Sequence, residues 1–184
     1  MTGKEALRII FQYIKSEPVV CATGYICRSV QAVAHRPENF YMIGSMGMAS
    51  SIALGAARAV PRRKIIALDG DGAVLMNLGT LPTVGALKTS NFVHLVLDNA
   101  CYESTGSQPS FTRSIGLERI AAASGYRSAK RVANEGALRR EMKSILSKPG
   151  PSFLLIPVTR DASAEPRVQA SPEEITRRFS RCLR

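Results

Sequence analysis

The stretch Ile65-Ile66-Ala67-Leu68-Asp69-Gly70-Asp71-Gly72-Ala73-Val74-Leu75-Met76 decides the fold. Its first four residues are apolar and β-branched in part. They lack the polar alternation of a half-exposed strand, which predicts a parallel strand buried on both faces. Gly70 and Gly72 let the backbone turn sharply and approach a ligand closely. Ala73 to Met76 reads as a helix start, whose free N–H groups face an anion. Asp71 therefore lies at the carboxyl end of a strand, where open α/β sheets bind ligands. A second apolar run, Phe92 to Leu97, ends in Asp98-Asn99, so that 26 residues separate Gly72 from Asn99. If the two strands are neighbours, the Asp71 carboxylate and the Asn99 amide oxygen meet at one hard cation. Mg²⁺ takes few protein oxygens and shares the rest of its octahedron with phosphate. The plainer alternative is a Gly-rich turn and an unrelated strand-end Asn.

Outward from this segment, strands and helices alternate. Leu7, Ile10, Phe11 and Ile14 share one side of a helix over Lys4 to Lys15, and Pro18 ends it. Val19-Val20-Cys21 is a short strand followed by a turn at Thr23-Gly24, and Phe40 to Ile43 is a second strand. Ser45 to Ala59 is a helix of small residues. Pro82 restarts a helix near Thr80, and Glu103 to Ser114 is a loop of functional length. A short helix spans Leu117 to Ala123, and a strand near Tyr126 to Val132 precedes a helix capped by Asn134. Ser152 to Val158 is a further buried strand. Ser171-Pro172-Glu173-Glu174 has the N-cap, the proline and the capping-box Glu of a last helix. The expected fold is α/β, a parallel sheet with helices on both faces, in a single domain over residues 1–184.

Composition narrows the function classes. No signal peptide is visible, and the apolar-rich span Met42 to Val60 is interrupted by glycines, serines and Arg58, so no membrane span is expected. Cys21, Cys27, Cys101 and Cys182 show neither metal spacing nor a disulfide framework, so a reducing, cytoplasmic compartment is the expectation. The net charge is +11, and the part from Arg113 onward supplies +8 of it (15 Lys/Arg against 7 Asp/Glu). Nucleic acid, an acidic partner chain and an anionic substrate compete to explain it. Aromatic residues are few and not interleaved with the basic ones, which argues against a single-strand stacking platform. Most of these charges read as a solvated face. His35 reads as a surface residue, and His94 as a strand residue with no visible partner.

Gly-Asp-Gly, the spacing and the Asn together resemble the cofactor fingerprint of thiamine diphosphate enzymes. Many members have Asn-Asn where this chain has Asp98-Asn99, and the second position is the ligand. Three longer stretches are similar to the pyrophosphate-binding domain of the sulfopyruvate and phosphonopyruvate decarboxylases. They are Asn39 to Gly55, Ala67 to Gly79, and Ser104-Thr105-Gly106-Ser107-Gln108-Pro109. The resemblance implies that Asp71, Asn99 and the Cys101 carbonyl hold Mg²⁺. It implies that Gly72 and Ala73, beside Gly70, offer N–H groups to the diphosphate. The Gly44 carbonyl, next to Ser45, would accept from the cofactor's 4′-amino group, and Met46 would wedge beneath the cofactor. Thr23 and Gly24 would bond diphosphate oxygens. Arg28 resembles in position a family arginine followed by Glu-Leu, although Ser29-Val30 follow here. Arg28 and Arg113 are candidates for the substrate's acidic group, with a structural ion pair the alternative for Arg28.

Family members activate the cofactor with a glutamate on a separate pyrimidine-binding domain, and no Glu here matches its motif. The resemblance thus implies half an enzyme, a β subunit needing a pyrimidine-domain α subunit in a hetero-oligomer with at least two copies of each chain. The implied reaction is decarboxylation of 3-sulfopyruvate, a small anionic 2-oxoacid, to sulfoacetaldehyde. Phosphonopyruvate decarboxylase is the alternative. Less favoured are a 2-oxoacid oxidoreductase β subunit, a non-catalytic cofactor-binding chain, and a nucleic-acid-binding module.

Overall fold

The computed structural model describes residues 1–160 and 165–184. The chain begins with helix α1, Gly3–Tyr13, whose N-cap Thr2 and Glu5 complete a reciprocal capping box. There follow β1 (Val19–Cys21), α2 (Tyr25–Ala34), β2 (Asn39–Tyr41), α3 (Ala49–Ala59) and β3 (Ile65–Gly70). Next come α4 (Asp71–Met76), α5 (Thr80–Leu87) and β4 (Phe92–Asp98). A two-stranded antiparallel hairpin, β5 (Cys101–Tyr102) and β6 (Gln108–Pro109), comes after them. The remaining elements are α6 (Leu117–Ala123), β7 (Ser128–Arg131), α7 (Glu135–Ser147), β8 (Ser152–Pro157) and α8 (Pro172–Leu183).

Six parallel strands form one sheet in the order β2-β1-β3-β4-β8-β7. The two central strands are buried along nearly their whole length, as their unbroken apolar runs require. Ile66 pairs with Val19 on one side and Val93 on the other. The crossovers place α2 and α7, with α1, on one face and α3, α5 and α6 on the other. The chain leaves β1 toward β2, then reverses to β3. That reversal opens a crevice at the carboxyl ends of β1 and β3, where Thr23-Gly24 and Gly70-Asp71-Gly72 lie.

One helix was not foreseen and three expectations are corrected. Residues between Thr23-Gly24 and Phe40 carry a helix, α2, that has no side-chain cap to announce it, because its N-cap is Gly24 at φ 88°. Helix α3 starts at Ala49 rather than Ser45. Ser45 (φ 55°) and Gly47 (φ 91°) are left-handed and break the first turn. The second strand ends at Tyr41, and Ile43 stands exposed. The long loop after Asn99 folds back as the β5–β6 hairpin.

Candidate active site

Strands β3 and β4 are adjacent and in register to their last residues, Gly70 opposite Leu97. The two acidic turns that follow them are therefore neighbours. Asp71 is the first residue of α4 and is 3% exposed. Burial pushes its carboxyl above the usual carboxylate range, and the charge of Asp98 adds to that. Ser110 donates to Asp71 Oδ2 and pulls the other way, as does the N–H of Gly72. Ser110 also contacts Thr112 Oγ1 at 3.1 Å, and Thr112 donates to Asp98 Oδ1 at 2.7 Å. The segment after β6 thus folds over both acidic turns and supplies their hydroxyl partners.

Asn99 is oriented from two sides. Its Nδ2 donates to Glu103 Oε2 at 2.8 Å, and its Oδ1 accepts from the Cys101 N–H at 3.1 Å. Ala100, at φ 59°, makes the left-handed turn that allows this, and its own N–H bonds Asp98 Oδ1 at 3.0 Å. The Asn99 oxygen accepts from the Cys101 backbone at 3.1 Å and from its thiol at 3.4 Å, so a cation there would displace the thiol contact. Asp71, Asn99 and Cys101 line one cavity, and a carboxylate, an amide oxygen and a backbone carbonyl are the hard-oxygen donors that Mg²⁺ takes. Among the described residues, no group of three or more His, Cys, Asp or Glu side chains is placed to hold a metal.

A cavity of about 100 Å³ lies between these turns. Asp71, Gly72, Ala73 and Gly70 line it from one side, Asn99 and Cys101 from another, and Thr23 and Met46 complete the ring. Gly3 and Leu7 of α1 and Ser29 of α2 also reach it. Gly72 has no room for a side chain: a Cβ would lie 2.6 Å from the Tyr102 ring and 3.3 Å from Met46 Cε. Close approach of another group to this backbone is what the glycine permits.

Gly44 and Ser45 stand exposed beside the cavity without lining it, and Gly24 lines an adjoining hollow together with Arg28. Arg113 lies elsewhere, in a hollow with Arg160 on the far side of Asn99 and Cys101. The two candidate substrate arginines are therefore not brought together. Sequence reasoning missed Tyr102, Glu103, Ser110 and Thr112 as site residues, because only the folding back of the hairpin places them over the cradle. It also missed the partner of His94. His94 is fully buried, with Nε2 3.1 Å from Asp69 Oδ2 and Nδ1 3.2 Å from the Tyr126 hydroxyl.

Residues 19–156 match the model of the thiamine pyrophosphate enzyme C-terminal TPP-binding domain. The sulfopyruvate decarboxylase subunit beta of Methanococcus maripaludis is 36% identical over 184 residues, covering 100% of this chain and 98% of that one. Its counterpart in Methanothermobacter thermautotrophicus is 38% identical over 180 residues, covering 98% and 94%. The phosphonopyruvate decarboxylase of Streptomyces viridochromogenes is 37% identical over 175 residues, covering 94% of this chain but 43% of that protein. In fold, the chain resembles a putative thiamin diphosphate-dependent enzyme from Mycobacterium smegmatis, with a TM-score of 0.73 at 24% identity over 88% of this chain and 32% of that one. The chain belongs to the thiamine pyrophosphate enzymes, as a C-terminal TPP-binding domain of the family that includes the sulfopyruvate decarboxylase beta subunits.

Proposed function

We propose that this chain is the β subunit of a thiamine diphosphate- and Mg²⁺-dependent decarboxylase that converts 3-sulfopyruvate to sulfoacetaldehyde and CO₂. The observation that carries the reading is the meeting of Asp71 and Asn99 at adjacent strand ends, over a glycine backbone with no space for a side chain. Asp71, Asn99 and the Cys101 carbonyl hold the cation in this reading. Gly72 and Ala73 present N–H groups to the diphosphate, with Gly70, Thr23 and Gly24 around it, and the cation offsets the unfavourable burial of the Asp71 charge. Ser110 and Glu103 keep the two ligands oriented. Met46, whose Cε lies close to Gly72, supports the ring system from below, and Gly44 and Ser45 stay open for the aminopyrimidine. When bound, thiamine diphosphate supplies the electron sink for loss of CO₂ from a 2-oxoacid.

The 184 residues act in this reading as one domain whose active site is completed by a pyrimidine-domain α subunit, which brings the activating glutamate. Two features support a partner. The cavity itself is about 100 Å³, below the roughly 300–1,000 Å³ typical of small-molecule sites, which leaves room for a partner to complete it. Ile43 and Met76 are 55% and 60% exposed on the segments that flank Met46 and Asp71, and Met48 and Ile52 of the same region are exposed as well. All four cysteines are free, consistent with a reducing, cytoplasmic compartment. No helix among the described residues is long and apolar enough to cross a membrane. Phosphonopyruvate is the second substrate reading. The relative with that activity is more than twice as long as the matched region, which places it behind a separate β subunit.

Asp71→Ala tests the cradle directly. Calorimetry of the chain with its partner and Mg²⁺ is expected to show thiamine diphosphate affinity falling roughly 100-fold or more, as a lost charged ligand of about 3 kcal/mol implies. Unchanged affinity rejects the assignment.

A further inference from the structure

We propose that Arg28 and Arg167 form a clamp for the substrate's second acidic group, the sulfonate of 3-sulfopyruvate or its phosphonate counterpart. This rests on the decarboxylase reading above and names the specificity element of the same site. Arg28 stands in the first turn of α2 and Arg167 in the connection from β8 to α8, 139 positions apart in sequence. The fold brings them to one hollow of about 260 Å³.

The path of the chain explains the meeting. After β8, Glu165 pairs with Lys4 at 2.5 Å, at the start of α1. Helix α8 lies at the opposite edge of the sheet, where Phe179 packs on Phe40 at 5.3 Å and Arg178 donates to the Asn39 carbonyl at 3.2 Å. The connection therefore runs back to the β2 edge and delivers Arg167 and Val168 beside Met42 and Ile43.

Three observations point this hollow at the substrate. Thr23 lines both the hollow and the cofactor cavity, so the hollow borders the cavity, as the hollow of Arg113 also does through Asn99, Cys101, Val158 and Thr159. Met42 and Ile43, which wall the hollow, lead directly into Gly44 and Met46. In the decarboxylase reading Gly44 and Met46 would meet the cofactor's ring system, and the wall of the hollow runs straight into them in sequence. The hollow of Arg113 and Arg160 is on the other side, against Asn99 and Cys101, and Arg160 Nη1 is already bonded to Ser107 Oγ at 2.5 Å.

Neither Arg28 nor Arg167 forms an ion pair with a carboxylate among the described residues. Two guanidinium groups on one hollow repel unless an anion lies between them. Arg28 is held over the Tyr25 ring at 5.1 Å, which fixes its plane before a ligand arrives. Planar forks of donors suit the tetrahedral oxyanion of a sulfonate or phosphonate. The carboxylate of the substrate leaves as CO₂, whereas the second acidic group persists through the reaction and serves as a constant handle.

The test uses the full chain with its partner chain and compares Arg28→Gln, Arg167→Gln, Arg28→Lys and the exposed control Arg62→Gln. Each Gln variant is expected to raise KM for 3-sulfopyruvate about 10- to 100-fold. Turnover of pyruvate, which lacks the sulfonate, and thiamine diphosphate affinity are expected to stay constant. Arg28→Lys should recover part of the loss, and Arg62→Gln should match the parent. Sulfoacetate, titrated by calorimetry, reports on the clamp without turnover. If the parent pair decarboxylates no 3-sulfopyruvate, the decarboxylase reading falls, and sulfoacetate binding that disappears in both Gln variants still sustains the clamp. Sulfoacetate that fails to bind, or binds equally to parent and variants, overturns the clamp. A KM effect found with Arg113→Gln and absent from Arg28→Gln and Arg167→Gln overturns it as well.

Discussion

Gly72 shows how closely the cradle is fitted, since the Tyr102 ring occupies the space a Cβ would need. Gly72→Ala is expected to destabilise the fold by about 1–3 kcal/mol through this overlap. Tyr102→Ala in the same chain should restore most of the loss, a non-additivity readable by chemical denaturation of the four-member cycle. Asp71 gives a pH dependence of definite sign. Its folded-state pKa is raised by burial, so its contribution to stability is full below the unfolded value and is lost as pH rises through the folded one. Ser110 limits that loss by bonding the charged form. Without a divalent cation, Ser110→Ala is expected to cost more stability at pH 8 than at pH 4, with a difference of about 1–3 kcal/mol. An equal cost at both values contradicts the assigned role. That Asp71 and Asn99 lie at neighbouring strand ends on one cavity was legible in the sequence, because each follows an apolar run and the glycines mark a backbone that must turn. Ser110 and Tyr102 were not, since a serine and a tyrosine in a polar loop carry no signal of where the loop folds.

Helix α2 and the strands beside it connect the cradle to the rest of the sheet. Gly24 must hold φ 88° and ψ −139° to let β1 turn into α2, and Gly24→Ala is expected to cost about 1–3 kcal/mol and to lower the thermal midpoint accordingly. The helix escaped sequence reading because a glycine N-cap offers no side-chain signal. The late start of α3 escaped because small residues in Ser45 to Met48 fit a helix as well as the left-handed turn they form. Deeper in the sheet, Asp69 of β3, His94 of β4 and Tyr126 before β7 are tied side chain to side chain. This buried chain fixes the two strands that present Asp71 and Asn99. Tyr126→Phe removes one buried hydrogen bond and should cost about 1 kcal/mol in denaturant unfolding. The apolar runs showed the strands, and their alternation with helices showed that the sheet is parallel, but the strand order came only from the structure. The polar link inside them was hidden, because its members lie 25 and 32 residues apart.

Over the whole molecule, the carboxyl edge of the sheet gathers everything that bears chemistry. The cavity of Asp71 and Asn99, the proposed cofactor cradle, lies there with an arginine-lined hollow bordering it through Thr23 and another through Asn99 and Cys101. The net charge of +11 is thereby partly explained: some arginines from Arg113 onward return to this edge through the β8–α8 connection. Composition showed the excess, but only the path of the chain shows which charges converge. The exposed apolar residues beside the cradle and the small enclosed volume describe one wall of a site. Reconstitution tests this most directly. Decarboxylation of 3-sulfopyruvate is measured with this chain alone, with a pyrimidine-domain partner alone, and with both, at saturating thiamine diphosphate and Mg²⁺. Activity confined to the mixture is the expected result, and robust turnover by this chain alone would contradict it.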